Sequence, residues 1–201
     1  HVSRPYEFVV TLASTSANIA SSDMSKRRAT LRCMSTVQEN AYSGVIRSFK
    51  YLHSIRDVSF YRAVLSARFK LLALTQHNQI FLGKTLPEIL EMVLKESRLV
   101  DYELHLSGKY PAMDYVCQYN ESNLNFVSRL MEKWGAYYFF EERDVGEFLI
   151  ITDTSMSHVE SSKAHLQYLQ PSGLDSSQAK TGVKKFVCKH KVIPSKVILK
   201  D

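Results

Sequence analysis

Period-two alternation of apolar side chains over the first eighty residues most constrains the fold of this chain. Tyr6, Phe8, Val10 and Leu12 are each separated by one residue, as in a half-buried strand. The same pattern recurs in three more segments, at 29–33, 44–49 and 61–69. Polar turns separate the segments, which predicts an antiparallel sheet, either open or closed into a β-barrel domain, over residues 1–82. A serine-rich stretch, 14–25, is predicted to be a flexible connection within it.

Composition excludes several classes of protein. The chain has 201 residues, of which 45% are hydrophobic and 23% charged, so general disorder is excluded. Its longest apolar runs are far shorter than the ~20 residues of a membrane-spanning helix. The net charge of +6 is uneven, with a lysine-rich tail after residue 180. Such a tail can bind nucleic acid or acidic membranes, although its interleaved apolar residues favour a solvated strand face.

The pattern changes at residue 83, where helix signals begin. Thr85 and Glu88 form a capping box, and the apolar spacing that follows predicts a helix over 86–97. Ser122 is the predicted N-cap of a second helix, which Gly135 ends. A strand at 115–119 precedes this helix, and strands at 136–141 and 148–152 follow it, joined by a five-residue hairpin loop, 142–146.

The chain is therefore predicted to be mainly β with an α+β insert. The boundaries are a first barrel domain at 1–82, a small α+β domain at 83–153, a polar linker or long loop at 154–182, and the start of a second barrel at 183–201. Its three cysteines, Cys33, Cys117 and Cys188, are expected to be reduced and mostly buried.

Catalytic and ligand-binding patterns are weak. Cys188 and His190 lie two residues apart, as on one strand face, but two ligands do not make a metal site. Glu141 and Glu142 alternate across a strand and are not expected to converge as an acid–base pair. The aromatic run 137–140 could stack bases, but an internal strand packed on two helices explains it better. No catalytic residue, metal or cofactor is predicted, and the chain is expected not to be an enzyme.

Residues 110–141 resemble the VgrG family of type VI secretion spike proteins. The resemblance consists of a Tyr-Pro pair, a Gln-Tyr-x-Glu-Ser run, a Phe-x-Ser-Arg-Leu helix that ends in Gly, and a Tyr-Phe-Phe strand. It extends over most of the chain, but is loose at 154–182. The residues that carry it, expected to be structural, are Pro5, Tyr6, Phe8, Gly44, Gly83, Lys84, Pro87, Tyr110, Pro111, Tyr115, Gln118, Tyr119, Glu121, Ser122, Phe126, Ser128, Arg129, Leu130, Gly135, Tyr138, Phe139 and Phe140. Met113, Trp134 and Ala136 depart from the family pattern.

The resemblance implies a structural hub. Such proteins are homotrimers whose base docks on the hexameric Hcp tube, beside baseplate components and effector cargo. They occupy the bacterial cytoplasm before firing and are then secreted through the type VI apparatus. Residues 192–201 resemble the entry into the second barrel, so the remainder of that barrel, the neck and the needle are expected to lie beyond residue 201. The chain alone is then expected to oligomerise weakly.

Two alternatives remain open. A baseplate hub of a contractile phage tail or extracellular contractile particle shares the implied fold, and a single-stranded nucleic-acid-binding protein would use the basic tail and the aromatic run. The hub interpretation implies no nucleic acid and no small-molecule substrate. At the second helix, Ser122→Ala is expected to cost roughly 1 kcal/mol, whereas Asn123→Ala is expected to do little.

Overall fold

The computed structural model describes residues 2–34, 39–158, 168, 183, 185–190 and 192. The chain divides into two compact units, His1–His158 and Val159–Asp201. The strands of the first unit are β1 (Glu7–Ser14), β2 (Arg28–Met34), β3 (Glu39–Ile55), β4 (Val58–Ser66), β5 (Gln76–Phe81), β6 (Tyr102–His105), β7 (Val116–Ser122), β8 (Tyr137–Arg143) and β9 (Gly146–Thr152). The helices are α1 (Ser21–Met24), α2 (Leu86–Glu96) and α3 (Asn123–Lys133), with 3-10 helices at Arg68–Leu74 and Ser155–Ser157.

The first four strands form the predicted antiparallel sheet, in the order β1-β4-β3-β2. Its alternation gives one buried face, where Phe49 and Tyr61 stack with ring centroids 5.1 Å apart. The barrel prediction is not borne out in the part of the chain described, because β1 and β2 each have one strand neighbour there and the sheet is open. Alternation shows which face is buried, but it does not distinguish an open sheet from a closed one.

The fourth predicted strand is too long. β4 ends at Ser66, and Phe69 lies in the 3-10 helix that follows. Phe69 and Leu72 are both buried, and their spacing of three places them on one side of that helix. The chain turns at Ala67, whose amide donates to the carbonyl oxygen of Tyr6. Phe69 thus continues the apolar alternation without continuing the strand.

Both predicted helices form with their predicted N-caps, and α2 ends at Glu96, one residue before its predicted end. Thr85 caps α2 in a capping box with Glu88, and the Ser122 hydroxyl accepts from the amide of Asn125 at the start of α3. Gly135 follows α3 with φ of 71°, the left-handed conformation that favours glycine. The main core packs both helices against the 3-10 helix and β9 and includes Phe69, Leu72, Leu86, Ile89, Leu90, Val93, Leu94, Phe126, Val127, Leu130, Met131, Tyr138, Leu149 and Ile151.

The aromatic strand β8 is not internal as predicted. The sheet order is β6-β9-β8, so β9 lies in the centre and β8 at an edge. The short strand β6 pairs in parallel with β9, and four residues give too little alternation to predict such a strand. The hairpin between β8 and β9 is also tighter than predicted, because Arg143 pairs with Gly146 and leaves only Asp144 and Val145 in the loop.

Several predictions about segments have mixed outcomes. The serine-rich stretch 14–25, predicted to be a flexible connection, contains the short helix α1. The division between residues 82 and 83 stays a prediction; β5, which precedes it, pairs with β7, which follows it. The linker and second-barrel predictions lie mostly outside the described residues. Among the few described residues of the second unit, Tyr168 and Val183 form a parallel bridge. None of the described helices is both long and apolar enough to cross a membrane.

Candidate functional site

The residues of the family resemblance differ widely in burial. Six are buried: Gly44, Gln118, Ser122, Phe126, Leu130 and Tyr138. Ten are half-buried: Pro5, Tyr6, Phe8, Lys84, Pro87, Tyr110, Glu121, Ser128, Phe139 and Phe140. Six are exposed: Gly83, Pro111, Tyr115, Tyr119, Arg129 and Gly135. The structure brings many of them into two polar networks, one around β7 and α3 and one that joins the first sheet to the β8–β9 hairpin.

The tyrosine of the Tyr-Pro pair ties a loop to the end of β9. The hydroxyl of Tyr110 donates to Oδ2 of Asp153 over 2.8 Å, and the amides of Ser107 and Gly108 donate to the same carboxylate over 3.0 and 2.6 Å. Desolvation by burial acts to raise the pKa of Asp153, but these hydrogen bonds outweigh it and hold the pKa well below its usual range. A Cβ at position 108 would lie 2.9 Å from Asp153, so glycine suits the turn.

We expect Asp153→Asn to destabilise the chain by about 2 kcal/mol at neutral pH, because a charged acceptor of several hydrogen bonds is lost. Tyr110→Phe should cost about 1 kcal/mol, since it removes a single donor. Because the folded pKa of Asp153 is depressed, its contribution is present above the unfolded pKa and disappears as the pH falls through the folded pKa. Urea titrations over an acidic pH series would measure both effects. Equal costs for the two variants would contradict the central place of the carboxylate.

The Gln-Tyr-x-Glu-Ser run organises the junction of β7 and α3. Gln118 is fully buried, and its Nε2 donates to Oδ1 of Asn123 over 2.9 Å and to the carbonyl oxygen of Glu121 over 3.2 Å. Asn123 is 2% exposed and donates to the hydroxyl of Ser97 beyond the end of α2. The expectation that Asn123→Ala does little is therefore wrong in its premise, because this side chain is a buried link between strand and helix.

Ser122→Ala should cost roughly 1 kcal/mol through loss of the helix cap. Asn123→Ala should cost about 2 kcal/mol, because it removes one of the two acceptors of the buried Gln118 amide group and leaves that N–H unpaired. Chemical denaturation of the two variants tests the order of the two effects. A smaller loss at Asn123 than at Ser122 would show that the amide pair contributes little.

Arg129 fastens α3 to β7. Its guanidinium donates to the carboxylate of Glu121 over 2.6 Å and to the carbonyl oxygen of Cys117 over 2.6 Å. The same group lies 5.1 Å from the ring centroid of Phe126, which in turn stacks on Phe81 of β5 at 5.4 Å. The Glu-Ser and Phe-x-Ser-Arg motifs therefore meet in space and hold β5, β7 and α3 together.

A second polar network joins the first sheet to the β8–β9 hairpin. Glu147 is 7% exposed, and its carboxylate accepts from the hydroxyl of Tyr6 over 2.8 Å and from the amide of Arg68 over 3.1 Å. Glu142 accepts from the amide of Ser43 over 2.8 Å and also from its hydroxyl. The Tyr6 hydroxyl is within hydrogen-bond distance of the Ser43 carbonyl oxygen as well.

The charges of this network are partly desolvated. Burial, opposed by the hydrogen bonds from Tyr6 and Arg68, raises the pKa of Glu147. Burial and then the charge of Glu147 raise the pKa of Tyr6, so this hydroxyl remains a donor. The side chain of Arg68 pairs with Asp101, which lies 3.6 Å from Arg28. Because Glu147 and Glu142 of the hairpin accept hydrogen bonds from Tyr6, Ser43 and Arg68, the network holds the hairpin against the first sheet and the residues that follow it.

The candidate catalytic and metal-binding groups do not assemble into a site. Glu141 pairs with Arg143 over 2.9 Å, whereas Glu142 faces Ser43, so the two carboxylates diverge as the strand pattern predicts. The Sγ of Cys188 lies 3.4 Å from Nε2 of His190, and no group of three or more potential metal ligands occurs within the described ranges. Cys33 and Cys188 are exposed and Cys117 is half-buried, so the prediction of buried thiols is wrong.

The aromatic run contributes to packing. Tyr138 is 2% exposed and meets Phe69 edge to face at 4.8 Å, while Tyr137 and Phe139 both contact the ring of His158. Its rings are thus occupied within the first unit. The prediction that the chain does not bind nucleic acid stays a prediction.

Sequence reasoning missed the roles of Ser43, Asn123 and Glu147 in these networks, and that of Asp153, which holds the loop 107–110 against the end of β9. An acidic residue within an apolar strand, as Glu147 is in Gly-Glu-Phe-Leu-Ile-Ile, is a signal that could have indicated a buried carboxylate. Asp153 directly follows the same strand. The partners of both residues are 40 or more positions distant in the sequence, so their contacts could not be read from local patterns.

Comparison with known proteins agrees with this architecture. The type VI secretion spike protein VgrG5 of Pseudomonas aeruginosa is 30% identical over 203 residues, which cover all of this chain and 25% of VgrG5. VgrG1a of the same organism is 34% identical over 117 residues, or 58% of this chain and 18% of VgrG1a. The chain thus spans a quarter or less of the length of these relatives.

Solved structures share the fold. The Escherichia coli c3393 protein, a component of the type VI secretion system with structural similarity to the T4 phage tail proteins gp27 and gp5, superposes with a TM-score of 0.74 at 27% identity, covering 79% of this chain and 45% of c3393. One chain of a Francisella PdpA-VgrG complex shares the fold alone, with a TM-score of 0.57 at 13% identity, covering 85% of this chain and 27% of that one. The model of the phage tail baseplate hub (GPD) family matches residues 1–201. The chain belongs to the phage tail baseplate hub family and is similar throughout its length to VgrG spike proteins of type VI secretion.

Proposed function

We propose that the chain is the base of a type VI secretion spike, a structural hub that assembles as a homotrimer and docks on the Hcp tube. The similarity to VgrG5 over the whole chain carries the proposal. The alternative, a hub of a phage tail or an extracellular contractile particle, shares the family and the fold. The identity of 27% and the TM-score of 0.74 to the type VI component c3393 favour the secretion spike.

The polar networks support a mechanical role. A hub transmits force between its elements, so hydrogen bonds and ion pairs that keep those elements from separating suit this role. Glu147 and Glu142 tie the β8–β9 hairpin to the first sheet, and Arg129 ties α3 to β7. The role proposed for the chain is structural, with effector cargo and baseplate components as partners and secretion through the type VI apparatus as its route.

A chimera tests the proposed assembly. The part of VgrG5 that aligns with this chain would be replaced by the 201 residues. The molar mass of the purified product would be measured by light scattering coupled to size exclusion. A mass of three chains at all accessible concentrations is expected. A monomeric product beside trimeric native VgrG5 would contradict the proposal.

A further inference from the structure

The strand β5 has an open edge. It pairs with β7 on one side, in a sheet of two strands. On its other side, no strand among the described ranges is hydrogen-bonded to it, and no further described backbone group bonds to residues 76–81. Alternate amides and carbonyl groups along that edge therefore have no partner among the described residues and can pair with an incoming chain.

A groove of about 490 Å³ lies along this edge. It is lined by Gln79, Ile80 and Phe81 of β5 and by Met92 and Glu96 of α2. Successive side chains of a strand point to opposite faces; Gln79 faces α2, where it bonds to Glu96, and Ile80 points to the other face, so the groove reaches across the backbone of β5. Met92 and Glu96 are four residues apart and lie on one face of α2. The groove is thus bounded by a strand edge and a helix.

The groove is apolar with one acidic group. Ile80 is 60% exposed and Met92 47% exposed, which leaves two large apolar side chains in contact with water. The carboxylate of Glu96 accepts from Nε2 of Gln79 over 3.2 Å. Within the part of the chain that the structure describes, no basic side chain forms a salt bridge with Glu96, whereas Glu91 on the same helix pairs with Lys95.

We propose that this groove binds an extended peptide segment of a partner protein, which pairs with the open edge of β5 as an added strand. The strand edge supplies main-chain hydrogen bonds, and apolar side chains on the two faces of the added strand contact Met92 on the α2 face and Ile80 on the opposite face. Glu96 selects a lysine or arginine on the peptide by charge complementarity. The partner is thus a protein with an exposed, alternately apolar segment that carries a basic residue, and it would dock on the α+β part of the hub.

The test uses the 201-residue chain, labelled with ¹⁵N, and two acetylated and amidated peptides of alternating Thr and Val. One peptide has a central Lys and the other has Glu in its place. The Lys peptide is expected to shift the amide resonances of β5 and α2 in a saturable manner and to bind about tenfold more tightly than the Glu peptide. A version of the Lys peptide with N-methyl groups on alternate amides should not bind, because it cannot pair with the strand.

Two variants complete the test. Glu96→Lys, an exposed substitution, should reverse the preference in favour of the Glu peptide, while Glu132→Lys on α3 should leave it unchanged. The proposal is overturned if no saturable shift occurs at β5, or if the N-methylated peptide binds as well as the unmethylated one. It is also overturned if Glu96→Lys and Glu132→Lys show the same preference between the Lys and Glu peptides. If the amide resonances of β5 shift with the concentration of the chain when no peptide is present, the groove binds a second copy of this chain. That result would overturn the proposal as well.

Discussion

Gly44→Ala is expected to destabilise the chain by about 3 kcal/mol, because the new methyl group has no room in the first sheet. A Cβ at this position would lie well inside van der Waals contact of the carbonyl oxygen of Ser66. That oxygen belongs to the backbone of β4, which pairs with β3 next to Gly44, so it cannot move away without breaking the ladder. Urea denaturation followed by circular dichroism would measure the loss.

Gly83→Ala is the matched control. A Cβ there meets no atom within 4 Å, but φ is 60°, so the cost is backbone strain alone, about 1 kcal/mol. If the two alanine variants were equally stable, β3 and β4 would be farther apart at Gly44 than the structure places them.

The second large effect is expected at Glu147. Glu147→Ala should cost about 3 kcal/mol, because in a buried site it removes the acceptor of the Arg68 amide and the carboxylate partner of the Tyr6 hydroxyl, which keeps only the carbonyl oxygen of Ser43. Tyr6→Phe should cost only about 1 kcal/mol, since Glu147 keeps its bond to the amide of Arg68. Thermal and chemical unfolding of the two variants would measure these losses. A harmless Glu147→Ala variant would show that the hairpin does not depend on this carboxylate.

The pH dependence separates the charge of Glu147 from its hydrogen bonds. Burial raises the folded pKa above the usual 4.5. The folded state therefore holds this proton more tightly than the unfolded state, and the contribution of Glu147 is fully present below the unfolded pKa and lost as pH rises through the folded pKa. Relative to Glu147→Gln, which does not titrate, the native chain should lose stability as pH rises above about 4.5. A difference between the two that stays constant with pH would contradict the raised pKa.

The helices could be predicted from sequence because their signals are local. The capping box of Thr85 and Glu88 and the cap at Ser122 each involve residues three positions apart, so the motif and the contact coincide. The buried face of the first sheet could also be predicted, since alternation directly records which residues are inside. Tyr61 and Phe49 illustrate this, being 1% and 6% exposed.

Long-range pairings could not be predicted in this way. The parallel pairing of β6 with β9 connects residues 47 positions apart, and β6 is too short to show a period. The link from Glu147 to Tyr6 spans 141 positions. Such contacts depend on how whole elements pack, and similar local patterns are compatible with several packings. The resemblance to VgrG identified many residues of the networks, such as Tyr6, Gln118 and Arg129, but not the contacts that they make.

The chimera of VgrG5 also gives the most direct test of the hub function. Pseudomonas aeruginosa would carry the chimera in place of native VgrG5 and lack the other VgrG proteins, so that Hcp release depends on the 201 residues. A strain with native VgrG5 alone would set the full level, and a chimera with Gly44→Ala would serve as the folding control. The account predicts that the chimera releases Hcp into the medium, and that the Gly44→Ala version releases much less. A folded chimera, present at the native level, that releases no Hcp would contradict it.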